Sequence, residues 1–319
     1  MRLVGGPHRL GVNEMNKLLL SLAGAAALLT TPAAAADLRA PVVPKAPVIE
    51  YVSPWDVAFG ANIASDYNFR GISQSDRGPS AGAYVEPRFN ITPWLQAYVG
   101  IAGTSVKLPT DPALEMNFYG GLRPTFGALS LDFGFIYYYY PRETQLFVDP
   151  TGTFLTSTGP GLGIFTLSDT DFWEVYAKGN LAVNDIIGIG AQIFHSPSFL
   201  HTGAPGTYLS GSLKLTAPGS LIPDVGAYLS GELGHYWLGT TNALLGNIDL
   251  PDYTTWNVGG GFTYKVFTLD LRYYDTNLSR TTCQGLVGDP SGFVSGASKW
   301  CDSTFIAKLS FDATLASFK

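Results

Sequence analysis

LSLDFGFIYYYY, residues 129–140, stands immediately before Pro141. Written as an extended chain, it places Leu129, Leu131, Phe133, Phe135, Tyr137 and Tyr139 on one side and Ser130, Asp132, Gly134 and Tyr138 on the other. The apolar side turns to tyrosine only near Pro141, as in a strand that crosses about 25 Å of hydrocarbon and meets an interfacial girdle of amphipathic rings. One such strand cannot satisfy its own backbone in lipid, so the rest of the chain is expected to repeat it until the sheet closes.

The period does recur. Twelve repeats are predicted, at 55–69, 80–90, 94–106, 114–126, 128–140, 171–183, 186–195, 207–217, 223–237, 253–264, 267–276 and 303–313. Connections after even-numbered repeats are short (91–93, Gly127, 184–185, 218–222, 265–266). Those after odd-numbered repeats are mostly long (71–79, 107–113, 141–170, 196–206, 238–252, 277–302). This alternation predicts an all-β, antiparallel, up-and-down transmembrane β-barrel of about twelve strands, with periplasmic turns and extracellular loops. A secreted β-sandwich has no reason to segregate its long loops to one end. A lipocalin-like barrel would be apolar inside and polar outside. Against it, Trp55, Trp94, Tyr137, Tyr139, Trp173, Trp237 and Trp256 gather at strand ends on the apolar face, while charges sit mid-strand on the other.

The amino terminus reads as an export signal. Met15-Asn16-Lys17, the apolar run 18–29 and the small residues up to Ala36 form the three sections of a cleavable secretory leader, with Met15 the expected true start. Residues 37–53, rich in proline, read as a periplasmic linker, and 54–319 as the barrel. Cleavage removes Arg2, Arg9, Lys17 and Glu14, leaving 16 basic against 24 acidic residues. That acidic balance argues against nucleic acid as a partner. The two cysteines, Cys283 and Cys301, are expected to form one disulfide in an exported protein.

The stretch 65–75, SDYNFRGISQS, resembles the first-loop signature of the TorF family, also called Gcw_chp. LEMNFYGG (114–121), YYYYP (137–141) and FWEVY (172–176) resemble it more weakly. The resemblance implies export, an outer-membrane barrel and a porin role in a Gram-negative bacterium, without assigning functional residues.

If the first strand continues past Ser65, parity sends Asp66, Asn68 and Arg70 inward and Tyr67 and Phe69 toward lipid. Arg70 then either meets solute at the mouth or pairs with an inward acid such as Glu86. The other inward charges are Glu86, Arg88, Glu115, Arg123, Asp132, Glu174, Lys178, Lys214, Glu232, Lys265, Asp270, Arg272 and Lys308, with Lys265 near a strand end where it can be solvated. Their near-balance fits an open pore of weak ion selectivity and equally a lumen closed by ion pairs. The 141–170 loop is a candidate constriction or lid, and Phe311 and Phe318 compete as the terminal aromatic of a last strand that could extend to Lys319.

Candidates for chemistry are few. His195-Ser196 with Asp169 would be the parts of a hydrolase site, but no G-x-S-x-G elbow accompanies them. His195 and His201 lack a third metal ligand at recognisable spacing, and 159–163 lacks the context of a phosphate loop. His235 reads as part of the interfacial belt. The sequence therefore predicts a non-enzymatic porin-like channel for small hydrophilic solutes or ions, needing no cofactor or metal. The alternative is a closed barrel acting as anchor, receptor or adhesin. Expected partners are outer-membrane lipid and lipopolysaccharide, the barrel-assembly machinery and small solutes, and homo-oligomers remain open.

Overall fold

A computed structural model describes residues 54–219 and 224–318. The expected leader and linker, and the inner part of the fourth short turn, lie outside them. Twelve antiparallel strands close a barrel in which each pairs with its sequence neighbours and the last pairs with the first. They are β1 (Trp55–Ala64), β2 (Ser80–Thr92), β3 (Leu95–Thr104), β4 (Glu115–Phe126), β5 (Leu129–Tyr139) and β6 (Phe172–Ala182). The second half comprises β7 (Ile187–Ser196), β8 (Gly206–Thr216), β9 (Val225–Leu238), β10 (Tyr253–Tyr264), β11 (Phe267–Thr276) and β12 (Thr304–Thr314). The long loops, L1 (65–79), L2 (105–114), L3 (140–171), L4 (197–205), L5 (239–252) and L6 (277–303), all leave from one rim.

The barrel is inside-out relative to a soluble one. Outward positions carry Trp55, Val99, Phe133, Ile193, Leu233 and Phe305, all exposed, while Glu86, Arg88, Glu174 and Arg272 are buried within. That inversion is stable only if the outer face meets hydrocarbon. Rings pair along both rims, Trp55 with Phe89 and Trp94 with Phe126 at the turn end, Trp173 with Phe135 and Trp256 with Tyr273 at the loop end. His235 joins that outer belt, its ring centroid 4.5 Å from that of Trp237.

Following the paired residues once around the ring displaces the starting point by about 16 residues. Twelve strands with that shear tilt by roughly 45° around a backbone cylinder roughly 24 Å across. This is wider than an eight-stranded barrel, whose wall side chains fill it unaided. Large inward tyrosines take up part of the difference. They lie flat over glycines of neighbouring strands: a Cβ on Gly134 would stand 2.5 Å from the Tyr176 ring, and one on Gly234 2.2 Å from the Tyr208 hydroxyl.

Three expectations are corrected, and the end of the last strand is decided between its two alternatives. β1 ends at Ala64, because the chain then turns into the barrel and not along its wall, so Tyr67 and Phe69 are buried inside and not lipid-facing. Lys265 lies exposed in a turn with φ 53°, outside the row of inward charges. β12 stops at Thr314 and a 3-10 turn follows, Leu315–Phe318, which stacks Phe318 on Phe59. The 141–170 loop carries three two-residue strands, Phe147–Val148, Phe154–Leu155 and Gly163–Ile164, none of them buried. Phe154 and Phe165 pack on Phe293 of L6, so this loop leans on another loop at the rim.

Candidate functional site

L1 (65–79) is what enters the lumen. Asn68–Phe69 and Ile72–Ser73 pair as a miniature ribbon whose two-residue turn is Arg70-Gly71. Both turn residues have positive φ, 49° and 89°, the signature of a type I′ hairpin turn. Arginine in that position costs about 1–2 kcal/mol of backbone strain, which must be offset by what its side chain gains. Gly71 is required: its left-handed φ suits glycine, and a Cβ there would stand 2.4 Å from Thr276 Cγ2 and 2.5 Å from Thr255 Oγ1 on the wall. The ribbon is knitted locally. Asn68 Oδ1 accepts from the Gly71 amide, and Asp66 Oδ1 accepts from the Ser73 and Ser75 hydroxyls at 2.6 and 2.9 Å. Burial pushes the Asp66 carboxyl above its ordinary pKa despite these bonds and Arg77 at 3.4 Å.

Arg70 crosses the outer half of the lumen. Its guanidinium makes a two-pronged pair with Glu174 on β6, 2.7 Å to Oε1 and 2.8 Å to Oε2. Around the same head stand the rings of Phe69, Phe194, Tyr208 and Tyr236, with centroids 4.5 to 4.8 Å from Cζ. Glu174 is 0% exposed and also accepts from the Tyr138 hydroxyl. The expected ion pair for Arg70 therefore exists, but its acid is Glu174 and not Glu86. Beside it, Glu115 at the head of β4 accepts from Tyr67 of L1, from Tyr140 and from Asn117.

Below this tier two charged walls face each other. On β2–β5, Glu86 receives Arg88 and Arg123, Arg123 continues to Asp132, and the Tyr98 hydroxyl donates to Asp132. On β9–β11, Arg272 binds Asp270, Asn257 and the Ser230 hydroxyl, and Glu232 accepts from Gln192 and Tyr208. Between the walls the inner face of β12 and β1 is more open: Asn62, Lys308, Ser310 and Asp312 are all part-exposed, as is Lys178 across the lumen on β6.

L1 is held from above by L6. Arg77 donates to the carbonyls of Lys299, Trp300 and Asp302, the Ser73 amide donates to Trp300, and the Trp300 indole donates to Asp76. Those carbonyls flank Cys301, which is bonded to Cys283.

A family model described as "Bacterial protein of unknown function (Gcw_chp)" matches residues 49–301. The chain belongs to this family. No curated protein matches the Gcw_chp chain in sequence. Among solved structures it is similar to the KdgM porin in complex with disordered oligogalacturonate, at 8% identity and TM-score 0.40, over 80% of this chain and 98% of that one. It is also similar to an outer membrane channel from Pseudomonas putida F1, at 10% identity and TM-score 0.43, over 83% and 97%. A third is LpxR from Salmonella typhimurium, at 10% identity and TM-score 0.37, over 80% and 99%. At such identities the likeness concerns architecture and not activity.

In this Gcw_chp chain the hydrolase parts are not brought together. His195 Nδ1 meets Thr207 Oγ1, while Asp169 pairs with His201 at 3.2 Å. No spacing in the sequence marks the cluster of Glu143, Asp169 and Asp171 at the base of L3, whose oxygens approach within 4.8 Å. Glu143 and Asp171 already accept from Thr170, Tyr137 and the Tyr140 amide. The ring cage around Arg70 was also missed. Tyr208 and Tyr236 share inward parity with Glu232, and that parity was the signal.

Proposed function

We propose that this protein is a porin-like outer-membrane channel for small hydrophilic solutes or ions, described here with its mouth closed. One observation carries the reading: the outer lumen is blocked by a loop, L1, and not by the wall, while a polar, part-exposed lane along β12 and β1 lies beneath it. A loop held by ion pairs and hydrogen bonds can leave; a filled wall cannot. The candidate lining is the set of inward charges, with Asp66 and Arg70 on the plug, Glu115 and Glu174 in the upper tier, Lys178 across the open lane, and Glu86, Arg88, Arg123, Asp132, Glu232, Asp270 and Arg272 on the walls. Near-balance of acids and bases supports weak ion selectivity once open.

The second reading, a closed barrel acting through its loops, draws on the same walls, since Glu86, Arg88 and Arg272 are almost fully buried. Planar-bilayer conductance of the refolded chain from residue 37 separates the two. Deleting 66–77 is expected to convert a silent or rarely opening barrel into one with stable, salt-proportional steps. Silence after that deletion would leave the closed-barrel reading. Lipid and lipopolysaccharide would pack on the apolar outer face, where Ile63, Ala81, Ala307, Leu269 and Leu309 line a shallow groove. Insertion by the barrel-assembly machinery and export by a cleaved leader belong to the same proposal.

A further inference from the structure

We infer that the pocket now filled by the Arg70 head is a recognition site for small solutes bearing a guanidinium group, and that L1 blocks it by placing the same chemistry there. The inference rests on L1 being a removable plug. Remove Arg70 and what remains belongs to the wall: Glu174 from β6, Phe194 from β7, Tyr208 from β8 and Tyr236 from β9, on four consecutive strands. Three rings within 5 Å of one cation centre form an aromatic cage, the arrangement that attracts a cation through the negative faces of the rings. At one side of that cage both oxygens of Glu174 are aimed as a fork, and among the described residues its only ion-pair partner is Arg70.

This geometry specifies the ligand. Two parallel N–H bonds to one carboxylate select a planar guanidinium over an ammonium, which cannot supply them in that fork. A quaternary ammonium would satisfy the rings but leave the Glu174 fork with the Tyr138 hydroxyl and no charged donor. Once L1 withdraws, Glu174 faces the mouth as a carboxylate that has lost its Arg70 partner, a state that favours capture of a cation from outside. The Arg70 backbone supports the argument from the other side. It holds a left-handed φ of 49° that a non-glycine residue adopts at a cost, so the loop is strained into place and a free ligand is not.

The test uses Arg70→Gly, which suits the positive φ, with Arg70→Asn as a second variant should the first not fold; heat-modifiable gel mobility reports folding. In planar bilayers, methylguanidinium is expected to block Arg70→Gly current, with tetramethylammonium about tenfold weaker. Adding Glu174→Gln should raise the half-blocking concentration about tenfold. Absence of block, or equal block with and without Glu174→Gln, overturns the inference. Should Arg70→Gly fold yet not conduct, the channel reading fails while the site is still tested by melting of the folded band. Methylguanidinium is expected to raise the melting midpoint of Arg70→Gly and not that of the double variant, and no shift in either overturns the site.

Discussion

Two adjacent residues, Arg70 and Gly71, carry opposite ends of one contact. Arg70 reaches β6 to β9 while Gly71 presses on Thr255 and Thr276 of β10 and β11, so the turn spans the lumen. Gly71→Val should therefore unseat the plug twice over, by its φ of 89° and by collision with the wall. A several-fold rise in bilayer conductance with unchanged heat-modifiable mobility is expected; wild-type conductance would refute it. Asp66 makes docking depend on pH. Burial raises its carboxyl pKa, so its contribution to docking is complete below the ordinary carboxylate value near 3.9 and is lost as pH rises through the raised value. The groups facing it are Ser73, Ser75 and Arg77, and only Arg77 is charged. Acidification from pH 7 to about 4 is thus expected to lower open probability, and Asp66→Asn should flatten that response. The sequence revealed that Asp66 and Arg70 go inward, but by the wrong route. Parity carries the segment along a strand, whereas a type I′ turn at Arg-Gly, a pair that normally begins with Asn or Asp, folds it back.

L6 is the element that fixes L1. Its helix, Arg280–Val287, is capped by the Ser279 side chain accepting from the Thr282 amide, and the Cys283–Cys301 bond ties it to the strip 299–302. That strip offers three carbonyls to Arg77. The disulfide closes a short loop, so removing it costs roughly 3 kcal/mol by the loop-entropy argument, concentrated where L1 is gripped. Cys283→Ser with Cys301→Ser, or reduction of the native protein, should lower the melting midpoint of the folded band and raise conductance. Arg77→Ala should raise conductance without the thermal loss of the disulfide variant. A disulfide variant with wild-type current would show that L6 does not hold the plug. The strands themselves are plain in the sequence, their ends within two residues except for β1, which the period carries five residues too far, because a period of two leaves no alternative face. Contacts between loops have no such period. The Arg77 grip on L6 is consequently invisible in the sequence, and length alone points to the 141–170 loop, whereas L1 is the loop that enters the lumen.

The molecule as a whole is a cylinder polar within and apolar without, with L1 folded into its outer mouth. Deleting 144–168 of L3 is expected to leave conductance near that of the intact protein, in contrast to deletion of 66–77, since L3 packs on L6 through Phe293 and stays outside the lumen. A large gain on L3 deletion would reverse that assignment. Architecture, strand number and the inward charges were readable because lipid outside and water inside impose one rule on every strand. Pairing was not: Arg70 chose Glu174 over Glu86 through three-dimensional shear, which parity does not encode. The seam between β1 and β12 adds one more consequence. Arg77 and Asp302 lie 225 residues apart, and L1 and L6 flank the two strands that meet last when the sheet curls shut. In an open sheet L1 and L6 would stand at opposite edges, so the grip of Arg77 on the 299–302 strip is available only to a sheet whose edges have met. The closing of the wall and the clamping of L1 are thus one event at one seam of the molecule.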